Sequence, residues 1–581
     1  MKLTFVHAPE DYYDQNYGTQ FFPVWAYCLA SFIPRQWDID IIDCRSENIT
    51  DCEPAEVFAF GGINQDFNSI CEKRDLLKTK FPDALFILGG PITWSFEQEG
   101  KLDSLKHFDY LFILDGEEAL PFFLQKYEED NLEQIEQIVR FPRFDVSKSK
   151  KIQFEILDQK TSNYYGAVIE VSRGCPFLCE FCDIRVLPNN NQAHNKNIDL
   201  IVDEINEHYK RGIGKFQFAC DNFIGDPKWA NECVDAILEW KERTGANISI
   251  FAWLTINLYK MKSLMKKMRK AGFSILFIGI ESVNQNSLLE TAKVQNMKSL
   301  GEAVETIHSF GFIIAPGFIF GFDSDDDKTF QNTLAFINQT GILGGDPSFL
   351  VALAGTPLYA RMKASGRLVV NQNQGAIERK KIMTNILYLQ DKDFLAKGFM
   401  EFVKVFTSPK FQYSRLHSNL ELIVNSSNFI PNDDSGYATP LSYALMQIKN
   451  REYMSMLMKR ILFLLRPDRF WVVFKAWLLV KKYSNRAPNI STNFYYWLYT
   501  WTNLKMKYQG LKLDDFQLHT VEKGFDRSKL SLFDLGEQSK KQNRKDGIIS
   551  SVLSKFQIKF IQALWYCQYY LMINLKKKKD I

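Results

Sequence analysis

Short apolar runs alternate with amphipathic stretches of helical length twice in succession along this chain, and that alternation leaves few folds open. In the first 140 residues the runs lie at 3–7, 39–43, 57–60, 85–88 and 110–114; each ends near a turn, and helical segments lie between several of them. Strands that alternate with helices form parallel sheets covered by those helices, so this part reads as a doubly wound α/β sheet. A second series begins near residue 165, with runs at 167–171, 215–219, 248–254, 275–280, 312–320 and 349–353. Amphipathic helices at 200–211, 229–243, 260–271, 298–310 and 329–339 separate them, and six such units predict a partial (β/α)6 barrel. Both architectures keep their ligands at the carboxyl ends of the strands. The residues that close each run are therefore the candidates for function.

In the first sheet those residues are Gly61-Gly62-Ile63-Asn64, Gly89-Gly90-Pro91-Ile92-Thr93 and Gly116-Glu117-Glu118. A glycine at such a place lets the backbone approach a flat or phosphate-bearing ligand, or simply turns the chain. In the barrel the second strand closes on Cys220-Asp221-Asn222, the third on Thr255-Ile256-Asn257 and the fourth on Gly279-Ile280-Glu281-Ser282. Thr255 and Asn257 also have the residue types that cap a following helix.

The first barrel strand runs into Ser172-Arg173-Gly174-Cys175-Pro176-Phe177-Leu178-Cys179-Glu180-Phe181-Cys182-Asp183. Three thiols within eight residues mark a metal site. The spacing is too compact for an ordinary four-ligand zinc finger, and no fourth cysteine follows until Cys220. His194 could complete a zinc site; alternatively the trio holds an iron–sulfur cluster, which normally takes four thiolates and would here leave one iron open to another ligand. The ten cysteines are otherwise scattered, which argues against a disulfide scaffold. With an N-terminal apolar run that ends at Ala8-Pro9 and no secretory pattern, a reducing cytoplasm is expected.

This trio, with Phe181 at the aromatic position of CxxxCxΦC, resembles the radical S-adenosylmethionine (SAM) enzymes. The resemblance implies that Cys175, Cys179 and Cys182 hold a [4Fe-4S] cluster whose fourth iron binds SAM, and that electron transfer then yields a radical able to take hydrogen from an unactivated carbon. It further implies that Asp221, Asn222, Thr255, Asn257, Gly279, Glu281 and Ser282 bind SAM, Glu281 being the best placed to accept hydrogen bonds from both ribose hydroxyls. Over roughly residues 1–410 the chain is similar to the cobalamin-binding subgroup, in particular to methylases of hopanoid lipids and bacteriochlorophyll-type pigments. There Pro23, Gly61, Gly62, Asn64, Gly89, Gly90, Pro91, Gly116 and Glu117 would contact cobalamin. The Asp-x-His-x-x-Gly signature of histidine-ligated cobalt is absent, and Gly62-Ile63-Asn64 departs from the usual Gly-Ile-Ser/Thr.

Beyond about residue 385 the alternation stops and the charge changes sign. Residues 441–581 carry 26 Lys+Arg against 10 Asp+Glu, so the formal net charge of +3 conceals a basic end on an acidic body. Residues 451–510 interleave 11 basic residues with many aromatics, a composition shared by interfacial membrane surfaces, nucleic-acid grooves and a helical domain packed on the barrel with a solvated basic face. The segment 560–575 is mostly apolar, shorter than the roughly 20 residues that span a bilayer, and is followed by Lys576-Lys577-Lys578-Lys579. That pattern favours anionic headgroups.

The expected organisation is a cobalamin-binding-like domain at 1–140, a linker at 141–164, the barrel at 165–385, a helical basic domain at 386–534, a linker at 535–548 and an amphipathic helix at 549–581. The expected activity is methylation of an unactivated carbon in a hydrophobic, lipid-like or other small-molecule natural product, fed by an external electron donor such as flavodoxin or ferredoxin. The chain would be cytoplasmic with peripheral contact to the inner face of the membrane, and without a nucleic-acid partner. A radical SAM enzyme with a cobalamin-like domain that performs cyclisation, rearrangement or peptide modification is the alternative. A zinc-stabilised membrane- or nucleic-acid-binding scaffold is the non-enzymatic one.

Overall fold

The computed structural model describes residues 1–10, 21–293, 300–369, 381–431 and 451–526. The chain divides into a large compact unit, 1–523, and a second unit, 524–581, of which only the first three residues are described. The expected linker at 535–548 and the amphipathic segment at 549–581 lie outside the described residues.

The first layer is a six-stranded, all-parallel sheet in the order β2-β1-β3-β4-β5-β6. Its strands are β1 (Lys2–His7), β2 (Asp38–Asp43), β3 (Val57–Gly61), β4 (Leu85–Gly89), β5 (Tyr110–Ile113) and β6 (Ile138–Arg140). The helices α1 (Val24–Ala30), α2 (Phe67–Lys80), α3 (Pro91–Gln98) and α4 (Ala119–Glu128) connect them. The strands read as continuous apolar runs because both faces are covered. Along β3, Val57 and Ala59 enter one core while Phe58 and Phe60 enter the other. The strand order reverses between β1 and β3, and such a switch point opens a crevice at the strand ends. β6 was not legible as a run, being three residues long.

After α5 (Phe154–Asp158), strand β7 (Ala167–Glu170) begins the second sheet, ordered β14-β13-β12-β11-β10-β7 and again parallel throughout. A short antiparallel pair, β8 (Ser172–Arg173) with β9 (His194–Asn195), follows β7. Then come α6 (Ile198–Lys210), β10 (Lys215–Ala219), α7 (Pro227–Thr244), β11 (Ser249–Leu254), α8 (Lys262–Ala271), β12 (Phe273–Glu281), α9 (Gln285–Glu290), α10 (Leu300–Ser309), β13 (Ile313–Phe320), α11 (Thr329–Thr340), β14 (Asp346–Phe349) and α12 (Pro357–Ala364). Six strands in sequence order form the expected partial barrel.

Local chemistry sets the helix ends. Asp226 accepts hydrogen bonds from the backbone N–H of Lys228 and Trp229, Pro227 occupies the first helical position, and Gly245 ends α7 at a φ of 64°. Burial alternates along β11: Ile250, Ala252 and Leu254 lie in the core, while Phe251 and Trp253 on the other face are half-buried. The Phe251 and Trp253 rings meet at 4.6 Å and Trp253 lies 6.4 Å from Phe277, giving an aromatic wall that side chains do not fully cover.

One strand lies elsewhere than its apolar run. The run at 349–353 is preceded by β14, whose Asp346–Phe349 pair with Gly317–Phe320. Edge strands need only one satisfied side, so a polar tetrapeptide serves there, and the apolar run beyond Leu350 turns off the sheet.

The C-terminal region is helical, as expected, but not wholly so. Strand β15 (Ile382–Tyr388) precedes α13 (Lys392–Phe406), α14 (Pro409–Val424), α15 (Arg451–Leu464), α16 (Pro467–Tyr483) and α17 (Ser491–Lys507). Strand β16 (Phe516–Thr520) then returns to pair in parallel with β15. A separate core forms around the buried Trp497 and Trp501 with Leu416, Leu420 and Ile423 of α14. Among the described residues no helix is long and apolar enough to cross a membrane.

Candidate cluster and cofactor site

The β8–β9 pair closes the loop that carries the three cysteines. Gly174 opens it at a φ of 88°, where a Cβ would collide with the carbonyl oxygen of Gln192; only glycine allows the chain to turn there. The Gly174 N–H donates to the Asp221 carboxylate at 2.6 Å and the Cys175 N–H to the Asn190 carbonyl at 3.1 Å. Cys179 is buried, and Cys175 and Cys182 are partly so. Burial first, and then charge on a neighbouring thiol, raises the pKa of Cys175 and of Cys182. Burial, with Asp183 and the other two thiols added, pushes Cys182 up to about 12. Taking up metal must therefore release protons.

Among the described residues no three His, Cys, Asp or Glu side chains are arranged to hold a single metal ion. His194, the candidate fourth zinc ligand, has its Nε2 2.5 Å from the Asn189 carbonyl. Cys220 is turned away, its thiol directed to the carbonyls of Phe218 and Trp253 at 3.6 and 3.5 Å.

The remaining strand-end candidates divide by what they already hold. Asp221 pins the cysteine loop through Gly174. Asn222 lies behind the loop with Nδ2 3.8 Å from the Cys175 sulfur, while its buried Oδ1 has no partner among the described residues. Thr255 stands at an N-cap position but makes no capping bond, and its buried hydroxyl is likewise unpartnered. An acceptor and a hydroxyl left unsatisfied at adjacent strand ends are what a polar ligand would engage. Asn257 is half-buried in the same 3-10 turn.

Glu281, at a φ of 63° on an irregularity of β12, curls back over Gly279 and accepts a 2.6 Å hydrogen bond from Lys293. Any side chain at position 279 would displace that pair. Ser282 instead accepts the N–H of Asn284 at 3.0 Å and belongs to the next turn.

Two charge networks, absent from the sequence reading, hold the cysteine loop from opposite sides. On one, Arg173 donates to Glu170 at 2.7 and 3.0 Å and to Glu117 at 2.5 Å, with Asp115 3.5 Å away. Glu117, expected at the cobalamin edge, thus joins the first sheet to the strand that leads into the cysteines. On the other, Glu180, between the second and third cysteines, receives both Nε and Nη2 of Arg361 at 2.7 and 2.8 Å. Arg361 and Arg367 share the Asp323 carboxylate. Lys293 also sits 5.6 Å from the Phe181 ring, so the third cysteine's neighbour is faced by a cation.

At the carboxyl edge of the first sheet the glycine loops pack on one another. The Ile92 N–H donates to the Gly62 carbonyl at 3.1 Å, and Thr93 bonds the carbonyls of Gly90 and Phe112. Pro91 starts α3 at its first position and Pro23 stands at the cap of α1. The Trp25 ring covers Gly61 and donates its N–H to His7 at 3.3 Å, while burial and Arg45 hold His7 neutral with a pKa lowered to about 4. Gly89 lies beside Phe112, Gly116 packs on Leu29, and the buried Oδ1 of Asn64 has no partner among the described residues.

Gly90 has φ 88° and ψ −175°, a conformation essentially closed to other residues, and its Cβ would stand 3.1 Å from the backbone of Gly62. The replacement Gly90→Ala is expected to cost about 1–3 kcal/mol of stability. The loss should appear in chemical unfolding of protein free of any corrinoid; an unchanged midpoint would contradict it.

Residues 169–337 match the model of the Radical SAM superfamily. The chain is 30% identical over 355 residues to hopanoid C-2 methylase of Rhodopseudomonas palustris (strain TIE-1), covering 60% of this chain and 65% of that protein, just under two thirds of its length. It is 31% identical over 214 residues to bacteriochlorophyllide d C-12(1)-methyltransferase of Chlorobaculum tepidum, covering 36% of this chain and 45% of that one. In fold it matches the cobalamin-dependent S-adenosylmethionine radical enzyme OxsB at a TM-score of 0.56 and 14% identity, over 87% of this chain and 79% of that one. The matched segment begins in β7, contains the cysteine loop and runs to α11, so residues 169–337 of this chain are a radical SAM domain.

Proposed function

We propose that the chain is a cobalamin-dependent radical SAM methyltransferase that methylates an unactivated carbon of a hydrophobic or natural-product substrate. The bridge from Arg173 to Glu117 carries this reading, since one guanidinium joins a strand-end loop of the α/β sheet to the strand that enters the cysteine loop. A reaction divided between two cofactors needs such a fixed junction. The names of the hopanoid and bacteriochlorophyllide relatives support it.

When bound, the cluster with SAM supplies a hydrogen-abstracting radical and cobalamin supplies a methyl carrier. The protein's share is placement. Cys175, Cys179 and Cys182 hold the cluster, while Asp221, Glu180 and Arg361 fix the loop that carries them. Asn222, Thr255 and Asn257 offer polar atoms to SAM, Glu281 offers its carboxylate to the ribose, and the hydrogen bond from Lys293 fixes where that carboxylate points. The wall of Phe251, Trp253 and Phe277 excludes water and suits an apolar substrate. An external donor, flavodoxin or ferredoxin in type, supplies electrons. The basic C-terminal region holds the chain against an anionic membrane.

The test is anaerobic purification followed by iron, sulfide, zinc and corrinoid analysis, then incubation with SAM, a reductant and cobalamin. About four irons per chain, a retained corrinoid, and both 5′-deoxyadenosine and S-adenosylhomocysteine as products are expected. Production of 5′-deoxyadenosine alone, with no affinity for cobalamin, would transfer the reading to cyclisation, rearrangement or peptide modification. Zinc in place of iron would remove the enzyme.

A further inference from the structure

Helix α16 is apolar on two opposite faces, and only one of them is covered. Ala476, Leu479 and Val480 pack with α14 in the core around Trp497. On the other side Phe470, Trp471, Phe474 and Trp477 are 47%, 58%, 39% and 48% exposed, and Leu462 and Leu465, just before the helix, are 60% and 58% exposed. The rings form one continuous ladder, with successive centroids 6.1 Å apart from Phe470 to Trp471, 5.9 Å on to Phe474 and 6.1 Å on to Trp477. Single exposed apolar side chains need no explanation, but a contiguous aromatic patch of this kind marks an interaction surface.

The charges around the ladder identify the occupant. Between 466 and 482 stand Arg466, Arg469, Lys475, Lys481 and Lys482 against Asp468 alone. The Lys481 ammonium itself lies 5.4 Å from the centre of the Trp477 ring, which places a cation on the aromatic face. Lysine is depleted from the cores of protein–protein interfaces, whereas tryptophan and phenylalanine flanked by lysine and arginine characterise helices that lie in the headgroup region of a bilayer. We infer that the outer face of α16, with the end of α15, is the surface on which this protein docks to an anionic lipid bilayer, the helix lying in the plane of the interface. The inference rests on the proposed membrane contact and assigns it to this face rather than to the polybasic end at 576–579.

The experiment uses the full chain with phosphatidylcholine vesicles, with and without phosphatidylglycerol, followed by co-sedimentation and by quenching of tryptophan fluorescence with brominated lipid. Wild type is expected to sediment with phosphatidylglycerol vesicles, less so as salt rises, because charges at a surface are screened. The triple variant Trp471→Ser/Phe474→Ser/Trp477→Ser should lose at least about tenfold in partitioning and most of the quenching, with its circular dichroism unchanged. Lys475→Gln/Lys481→Gln/Lys482→Gln should lose the preference for phosphatidylglycerol. Neutralising Lys576, Lys577, Lys578 and Lys579 to Gln should change binding by less than about twofold. If wild type binds and the aromatic variant binds equally, the assignment to α16 falls while membrane contact stands. If wild type stays in the supernatant, both fall. Association of copies, or capture of a single-stranded oligonucleotide, that is lost in the aromatic variant would then name the true occupant.

Discussion

Alanine in place of Cys175, Cys179 or Cys182, one at a time, is expected to reduce SAM cleavage to background. In the proposed function each residue supplies one of only three protein ligands, so the loss of any one would leave a second iron uncoordinated and the cluster labile. The effect should reside in the cofactor and not in the fold. Cys175 and Cys182 are only partly buried, and the loop around all three is held by bonds from Gly174, Asn190 and Glu180 that these substitutions leave in place. Thermal unfolding of the apoprotein should therefore change little, while iron content and the paramagnetic signal after anaerobic reconstitution collapse. Cys220→Ser and Cys233→Ser serve as controls and should keep both, since the Cys220 thiol faces backbone carbonyls and Cys233 lies inside α7. Full 5′-deoxyadenosine production by any of the three alanine variants would remove the cluster assignment.

What could be seen in the sequence were features written into local pattern. Strands such as β1, β10 and β11 announce themselves because a helix-covered parallel sheet demands apolar runs, and the grouping of the three cysteines because eight successive residues necessarily share one loop. What could not be seen was set by partners distant along the chain. Glu180 and Arg361 are 181 residues apart and β15 and β16 meet across more than a hundred, so no window of sequence contains both halves of either contact. Arg173 reads as an ordinary polar residue after a strand until Glu117 is placed beside it. Gly90 was expected to matter through the approach of a ligand; the fold supplies a nearer reason, its contact with the backbone of Gly62. The signal that could have exposed Lys293 is weak: a lysine twelve residues after a strand-end glutamate, on the far side of a short helix.

The charge junction at Arg173 should show itself most clearly through pH. Arg173→Met removes the cation and leaves the Glu170 and Glu117 carboxylates, 17% and 5% exposed, in the environment that burial made costly for them. Breaking a buried pair by deleting one partner costs about 3–5 kcal/mol, and the residual exposure of Glu170 places the expected loss near 3. In the wild type, burial pushes Glu170 up, but the charge and hydrogen bonds of Arg173 outweigh it and hold the carboxyl below its ordinary range. Glu170 therefore contributes stability that is present above the unfolded carboxylate pKa and is lost as pH falls through the lower folded value. Without Arg173, burial acts on Glu170 against only the weaker pull of Lys196 and Arg143, and on Glu117 together with the neighbouring carboxylates, so both carboxyls are expected above their unfolded values. Their contribution is then complete below the unfolded pKa and fades as pH rises through the folded one, so the variant should gain stability relative to wild type on acidification from neutral pH toward pH 5. Glu117, already raised by burial despite Arg173, should shift in the same sense. Urea unfolding of both proteins across that range reads the difference directly. A gap that stays constant or widens toward low pH would mean that Arg173 acts through packing alone, and the junction between the α/β sheet and the cysteine loop would lose its electrostatic basis.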